Sequence, residues 1–162
     1  MKRALFILAI LFWIVGFGAA EELKTLSLDD PAAIGLKIQA DTKAKVEGQA
    51  SLKVTTPWPT SVCLGEVAGL NVQGATLVTT AQARSKLQGG AYLEIWVVIG
   101  KGRYYARGLD SQVSGTKGWT PIRTAFQLAK GQTPDRVILN LVINGSGTVW
   151  IDDVRLAREP LR

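Results

Sequence analysis

The sequence predicts an all-β protein, a β-sandwich of two antiparallel sheets built from about ten short strands. Apolar and polar residues alternate in short runs, which is the period of a strand and not of a helix. The 17 glycines and 6 prolines help to divide these runs at spacings of about 8 to 15 residues. No helical run of about 10 to 15 residues lies between them, so parallel strands joined by helices are disfavoured.

The alternating runs predict strands at 23–28, 36–40, 50–55, 62–67, 75–86, 91–99, 103–109, 119–128, 136–143 and 148–156. Asp29-Asp30-Pro31 ends the first strand, and Pro57-Trp58-Pro59 follows the third. Four stretches that contain glycine, 88–90, 100–102, 114–118 and 144–147, are predicted to be connecting turns. Their residues tolerate positive φ angles, as turns require.

Two predicted strands each have an entirely apolar face. The apolar residues are Ala91, Leu93, Ile95, Val97 and Ile99 in one strand, and Val137, Leu139, Leu141 and Ile143 in the other. Side chains alternate between the two faces of a strand, so these sets are expected to face the core.

The opposite faces of several strands carry rings, amides and ions. This predicted polar-aromatic face consists of Arg84, Tyr92, Glu94, Trp96, Arg107 and Asn140. Such a surface is suited to carbohydrates, because sugar C–H faces stack on aromatic rings and sugar hydroxyls pair with amides, carboxylates and guanidinium groups. The alternative is that Trp96 packs under a loop and the ions are ordinary surface residues.

Residues 1–20 have the pattern of a signal peptide. Lys2 and Arg3 precede an uncharged apolar run, and Gly18-Ala19-Ala20 precedes Glu21-Glu22. The run is shorter than the roughly 20 residues that a membrane-spanning helix needs, although a retained anchor is the competing interpretation. We therefore expect a secreted or periplasmic protein with no stable membrane span after cleavage, and a single domain over 21–162.

Net charge and cysteine content indicate which partners and cross-links to expect. The net charge of the chain is +6, and its basic residues are scattered along the sequence instead of forming a patch, so no nucleic-acid partner is expected. A single cysteine, Cys63, excludes a disulfide within the chain. Because Cys63 lies in an apolar run, it is predicted to be buried.

Three segments resemble galactose-binding-domain-like jelly rolls, and in particular the carbohydrate-binding modules of xylanases and glucanases. They are the run Gly48-Gln49-Ala50-Ser51-Leu52-Lys53-Val54, Trp119 at the entry of a strand, and Gly147-Thr148-Val149-Trp150-Ile151-Asp152-Asp153-Val154-Arg155-Leu156 near the C-terminal end. They stand in the order found in the family and bracket residues 48–156. The resemblance implies a jelly-roll β-sandwich but does not by itself imply sugar binding.

Family members often hold a structural calcium ion near the last strand. The resemblance therefore implies calcium ligands at Asp152 or Asp153, with Gly48 and Ser51 as neighbours. Calcium takes six to eight hard oxygen ligands, which carboxylates and loop carbonyls supply. The alternative is that one aspartate is solvated and the other caps backbone N–H groups.

The positions of three further tryptophans in the sequence predict their roles. Trp58 lies between two prolines and is a second candidate for a stacking platform, although an indole folded onto the edge of the sandwich is the slightly favoured interpretation. Trp119 and Trp150, at family landmarks, are predicted to be packing residues.

The predicted function is non-catalytic, lectin-like binding of a polysaccharide or other glycan. The runner-up is a protein-interaction or structural module of the cell envelope, with envelope proteins as partners. The chain has no histidine, which excludes His-based catalysis. A carboxylate pair such as Glu94 with Glu66 would permit glycoside hydrolysis, but nothing in the spacing selects such a pair.

Overall fold

The computed structural model describes residues 20–26, 28 and 37–161. The predicted signal peptide over 1–20 lies almost entirely outside the described residues, as do the predicted break at Pro31 and the predicted strand start at Leu36. In the described part, eight strands form one antiparallel sheet, which confirms the all-β antiparallel prediction. The strands are β1 (Glu21–Leu26), β2 (Lys37–Asp41), β3 (Ser51–Thr56), β4 (Thr60–Ala68), β5 (Ala75–Ile99), β6 (Gly102–Arg107), β7 (Val113–Leu128) and β8 (Arg136–Pro160), with a short 3-10 helix at Leu109–Ser111.

Strands β5 and β8 are the backbone of the sheet. They pair with each other along almost their whole length, from Ala75 opposite Pro160 to Val98 opposite Arg136. The other edge of β8 pairs in turn with β4, β3 and β1, and the other edge of β5 pairs with β7 and β6. Strand β2 adds to the free edge of β3.

Two of the predicted turns are not turns but parts of these long strands. Residues 88–90 lie within β5 and 144–147 lie within β8, where the two strands stay paired through Gly89 and Gly145. Gly89 has a φ of 106°, and a Cβ placed on it would lie 2.2 Å from the carbonyl oxygen of Asn144. Glycine is therefore needed for close approach of the strands, and not for a reversal of the chain.

Of the other two predicted turns, the structure contradicts one and confirms the other. Residues 114–118 also lie inside a strand, β7, so the turn prediction is wrong there as well. Gly100 and Lys101 form a true turn, between β5 and β6.

A single core receives side chains from both halves of the β5–β8 ladder. Leu77 and Ala81 from the first half of β5 belong to the same buried cluster as Leu93 and Ile95 from the second half. The predicted core residues Val137, Leu139, Leu141 and Ile143 are fully buried, as the two-residue period requires. The folding of the ladder into the two layers of a sandwich stays a prediction.

Cys63 is exposed, so the prediction that it is buried was wrong. Its neighbours Val62 and Leu64 both point into the core. Because successive side chains of a strand point to opposite faces, the residue between two inward residues points outward.

Candidate carbohydrate-binding face

The second half of β5 and strand β6 bring four of the relevant side chains together. In the β5–β6 pairing, Trp96 lies opposite Tyr105 and Glu94 lies opposite Arg107. All four point away from the core, since the alternate residues Leu93, Ile95 and Val97 are buried in it. We call Glu94, Trp96, Tyr105 and Arg107 the Trp96 cluster.

The Trp96 cluster is a closed cycle of contacts. The indole Nε1 of Trp96 donates a hydrogen bond of 2.6 Å to Oε1 of Glu94, and Nε of Arg107 donates one of 2.8 Å to Oε2. The Arg107 guanidinium lies 4.9 Å from the centre of the Tyr105 ring, and the Tyr105 and Trp96 rings are 5.1 Å apart with a tilt of 37°. Each side chain is therefore held by two others, which fixes both rings before any ligand arrives.

Glu94 holds this cycle together electrostatically. Its side chain is only 8% exposed, and a buried carboxylate is costly unless its oxygens are paired. Here one oxygen accepts from an indole and the other from a guanidinium. The hydrogen bond to Glu94 is the main cause that raises the pKa of Arg107. The charge of Arg107 is therefore permanent at this surface.

The remaining members of the predicted face have different positions. Asn140 on β8 is directly opposite Glu94 and is half-buried, so it borders the Trp96 cluster. Tyr92 is only 8% exposed and serves packing more than contact with a ligand. Arg84 is opposite Trp150 in the other half of the ladder, so the structure does not bring it to the Trp96 cluster.

Tyr105 belongs to the site although the candidate set omitted it. The sequence shows that Tyr104 and Tyr105 point to opposite faces, but it does not show which of them pairs with Trp96. The β5–β6 register decides this: Tyr105 reaches Trp96, while Tyr104 reaches Phe126 with the ring centres 6.5 Å apart.

Trp58 is 62% exposed, in the connection between β3 and β4. Thr56 fixes the backbone there, because its hydroxyl donates to the carbonyl of Trp58 at 2.7 Å. The favoured interpretation, in which the indole folds onto the edge of the sheet, was wrong. The exposed residue therefore offers a second aromatic surface.

The predicted calcium ligands do meet in space. Gly48, Asp152 and Asp153 line one cleft of about 220 Å³, together with Glu47. The Ser51 hydroxyl donates instead to the carbonyl oxygen of Ala44. Desolvation and the neighbouring Asp153 carboxylate raise the pKa of Glu47, as expected where acidic groups crowd together.

These side chains, as they stand, suit a guanidinium better than calcium. Oδ2 of Asp152 accepts from the backbone N–H groups of Val46 and Glu47, at 2.6 and 3.1 Å. Arg155 pairs with Asp153 and, at 3.1 Å, with Glu47. In the described part of the chain, no three acidic, histidine or cysteine side chains are grouped to hold a metal ion.

The calcium site therefore stays a prediction, and melting experiments test it. An ion bound only by the native state, at about 100 times its Kd, stabilises the protein by about 2.7 kcal/mol, so EDTA should lower the Tm. The Asp153→Asn variant, which lacks one predicted ligand, should lose this sensitivity to EDTA. Identical melting curves of the wild-type protein in EDTA and in calcium would contradict the calcium site. The cation that Asp153 and Glu47 bind would then be the Arg155 guanidinium.

The first half of β5 contributes a second cleft, of about 390 Å³, that sequence analysis did not find. Its walls include Arg84, Lys86, Lys117, Trp119 and Trp150, a set that we call the basic cleft. Trp119 and Trp150 were predicted to be packing residues, but both are half-buried side chains of this cleft and neither belongs to the buried core.

Comparison with known proteins shows which fold this is. Neither a protein-family model nor a curated protein sequence matches the chain. Among solved structures, the C-terminal family 22 carbohydrate-binding module of Clostridium thermocellum Xyn10B is similar at 16% identity, with a TM-score of 0.56 over 84% of this chain and 93% of that one. The CBM22-1 xylan-binding domain of Paenibacillus barcinonensis Xyn10C is similar at 14% identity, with a TM-score of 0.55 over 89% of this chain and all of that one.

A third similar structure holds a ligand. It contains the CBM22-1 and GH10 modules of Clostridium thermocellum Xyn10B, complexed with xylohexaose. Its TM-score is 0.63 at 12% identity, over 89% of this chain and 30% of that one. The chain therefore has the fold of these carbohydrate-binding modules, which confirms the resemblance seen in the sequence.

Proposed function

We propose that this chain is a non-catalytic carbohydrate-binding protein that holds its glycan on the Trp96 cluster. The observation that carries the proposal is the fixed pair of rings, Trp96 and Tyr105, beside the charged pair Glu94 and Arg107. Rings that offer their faces and charged groups that offer hydrogen bonds are the two kinds of contact that a sugar makes.

The geometry indicates how a sugar would bind. Tyr105 is 52% exposed and Trp96 is half-buried, so both rings are accessible at the surface. The guanidinium of Arg103 lies 5.4 Å from the Trp96 ring centre and would move aside for a stacking sugar. Arg107 and the Asn140 amide would then bond the hydroxyls at the rim of the stacked ring.

The ligand we propose is a neutral polysaccharide of the xylan type. Support comes from the similar structures, one described as a xylan-binding domain and another complexed with xylohexaose. Trp96 and Tyr105 lie side by side with their ring centres 5.1 Å apart, so together they offer a larger stacking surface than a single ring.

Binding without hydrolysis is part of the proposal. The two carboxylates considered as a hydrolytic pair are both engaged by arginines: Glu94 with Arg107 at 2.8 Å and Glu66 with Arg136 at 3.3 Å. A glycosidase needs one carboxyl group that can donate a proton. Both carboxylates instead have cationic partners already, which supports a binding or structural role for them.

Two finer points belong to the same proposal. The β5–β8 ladder folds at its glycine bends into the two layers of a jelly roll, as the shared fold supports. The protein is exported to the periplasm or the exterior, as the pattern of residues 1–20 supports. No helix within the described residues is long and apolar enough to span a membrane.

Electrophoresis through gels containing soluble xylan tests the proposed function. The protein should migrate more slowly than in a plain gel, and xylohexaose should change its tryptophan fluorescence because Trp96 lies in the site. Bovine serum albumin in the same gels controls for the effect of the polymer on mobility. Unchanged mobility and fluorescence would contradict glycan binding and favour the interaction or structural module, which should instead show a stable envelope partner.

A further inference from the structure

The basic cleft gathers cations that are distant in sequence. Across the sheet, Lys53 of β3, Trp150 of β8 and Arg84 of β5 lie opposite one another. The Lys53 ammonium is 5.5 Å and the Arg84 guanidinium 5.2 Å from the centre of the Trp150 ring. Lys86 and Lys117, from β5 and β7, line the same cleft.

Asp41 is the carboxylate that contacts Trp150, and its charge also acts on Lys53. Oδ2 of Asp41 accepts from the Trp150 indole at 2.9 Å, and Oδ1 accepts from the backbone N–H groups of Lys43 and Ala44 at 3.0 Å. Hydrogen bonds to these donors lower the pKa of Asp41, led by the bond from Ala44. Asp41 is thus occupied as an acceptor and orients the indole, and it leaves most of the positive charge unmatched.

None of the four cations forms an ion pair with a described residue, whereas five other arginines of the described chain do. Like charges that line one cleft repel one another unless an anion lies among them. The Trp150 ring offsets part of this repulsion for the two cations on its faces. It does not reach Lys86 and Lys117 in the same way, so the cleft attracts an anion.

Trp119 indicates the rest of the ligand. Its half-buried indole lines the cleft and has no ring or hydrogen-bond partner among the described residues. A free ring face beside cations suits a pyranose that carries a carboxylate, because the sugar C–H face stacks while the carboxylate takes the charges. Arg84, Lys86 and Lys117 line one cleft and do not form the stripe that would follow a nucleic-acid backbone.

We propose that the basic cleft is a second glycan site that binds the uronate residues of an acidic polysaccharide. The site is separate from the Trp96 cluster and does not depend on the proposed xylan binding. The carboxylate lies between Arg84, Lys86 and Lys117, and the sugar ring lies against Trp119.

Calorimetric titration with oligogalacturonate, and with the same oligomer methyl-esterified, tests the proposal. The acidic oligomer should bind and the esterified one should not, because esterification removes the negative charge of the carboxylate. The Lys86→Gln/Lys117→Gln pair, both at exposed positions, should weaken binding of the acidic oligomer by at least about tenfold, as expected for losing charged hydrogen bonds. Trp119→Ala should weaken it as well, since stacking is lost.

A matched pair, Lys101→Gln/Lys130→Gln, removes the same charge from exposed positions outside the cleft and should leave binding unchanged. Equal losses of affinity in both pairs of variants, or binding of single-stranded DNA as tight as that of the acidic oligomer, would show that the protein attracts polyanions non-specifically. Either result would overturn the proposal. Failure of the oligomer to bind would overturn it too. Retention in xylan gels reports separately on the Trp96 cluster, so either site can fail without the other.

Discussion

Trp96→Ala should lower the affinity for xylan by at least about tenfold, which corresponds to about 1.4 kcal/mol of binding free energy, while the protein stays folded. The stacked ring is lost, and the partner ring Tyr105 loses the neighbour that fixes its position. The cost in folding stability should stay below the roughly 3–5 kcal/mol of a fully buried aromatic, because Trp96 is half-buried and the core face of β5 is complete without it. Glu94 keeps Arg107 as its partner. Calorimetric titration with xylohexaose and thermal melting measure the two quantities.

Two tyrosines of β6 provide a matched control. Tyr105→Ala should weaken binding, whereas Tyr104→Ala, an adjacent tyrosine of similar exposure, should not, because its ring is on the Phe126 side. Trp96→Phe should retain more affinity than Trp96→Ala, because it keeps an aromatic ring. It should bind less tightly than the wild-type protein, because it loses the hydrogen bond to Glu94. A folded Trp96→Ala protein with wild-type affinity would move the site, with Trp58 as the next candidate. An unfolded Trp96→Ala protein would show that the ring belongs to the core and contradict its assignment.

Gly89→Ala should be among the most destabilising substitutions in the chain. A methyl group at Gly89 would lie 2.2 Å from the carbonyl oxygen of Asn144, so one of the two paired strands must move. The φ of 106° adds strain for any residue that has a Cβ. We expect a loss of more than about 4 kcal/mol, the range that marks exceptional single substitutions, measured by urea denaturation.

Gly115→Ala separates conformational strain from collision. Gly115 also has a positive φ, 65°, but a Cβ there would meet nothing within 4 Å. Its substitution should cost only about 1–2 kcal/mol, the price of the left-handed conformation. Similar losses at both positions would show that the contact between the strands does not constrain Gly89. If Gly89→Ala yields no folded protein while Gly115→Ala does, the prediction holds.

The sequence alone predicted which side chains of a single strand face the core and which face outward. The buried face of residues 91–99 and the outward Trp96 follow from a period of two, which needs no knowledge of other strands. The glycine stretches were assigned wrongly for a physical reason. Positive φ angles serve a chain reversal and a bend in a paired strand equally well, and only pairing across the sheet distinguishes them.

Contacts between strands could not be predicted, because they depend on register. Arg84 appeared to belong with Trp96 since both were predicted to face outward on neighbouring strands, but the β5–β8 register places it beside Trp150. The basic residues looked scattered for the same reason. Lys53 and Lys117 are distant in sequence, and each reaches the neighbourhood of Trp150 from a different strand.

The place of β8 in chain order has a consequence for biosynthesis. Strands β1, β3, β4 and β5 all pair with β8, which is the last of the described strands. A growing chain that lacks β8 holds four strands without their common partner, and contacts this far apart in sequence form slowly. The sheet therefore closes late, so the nascent polypeptide stays open for longer than one built from neighbouring hairpins.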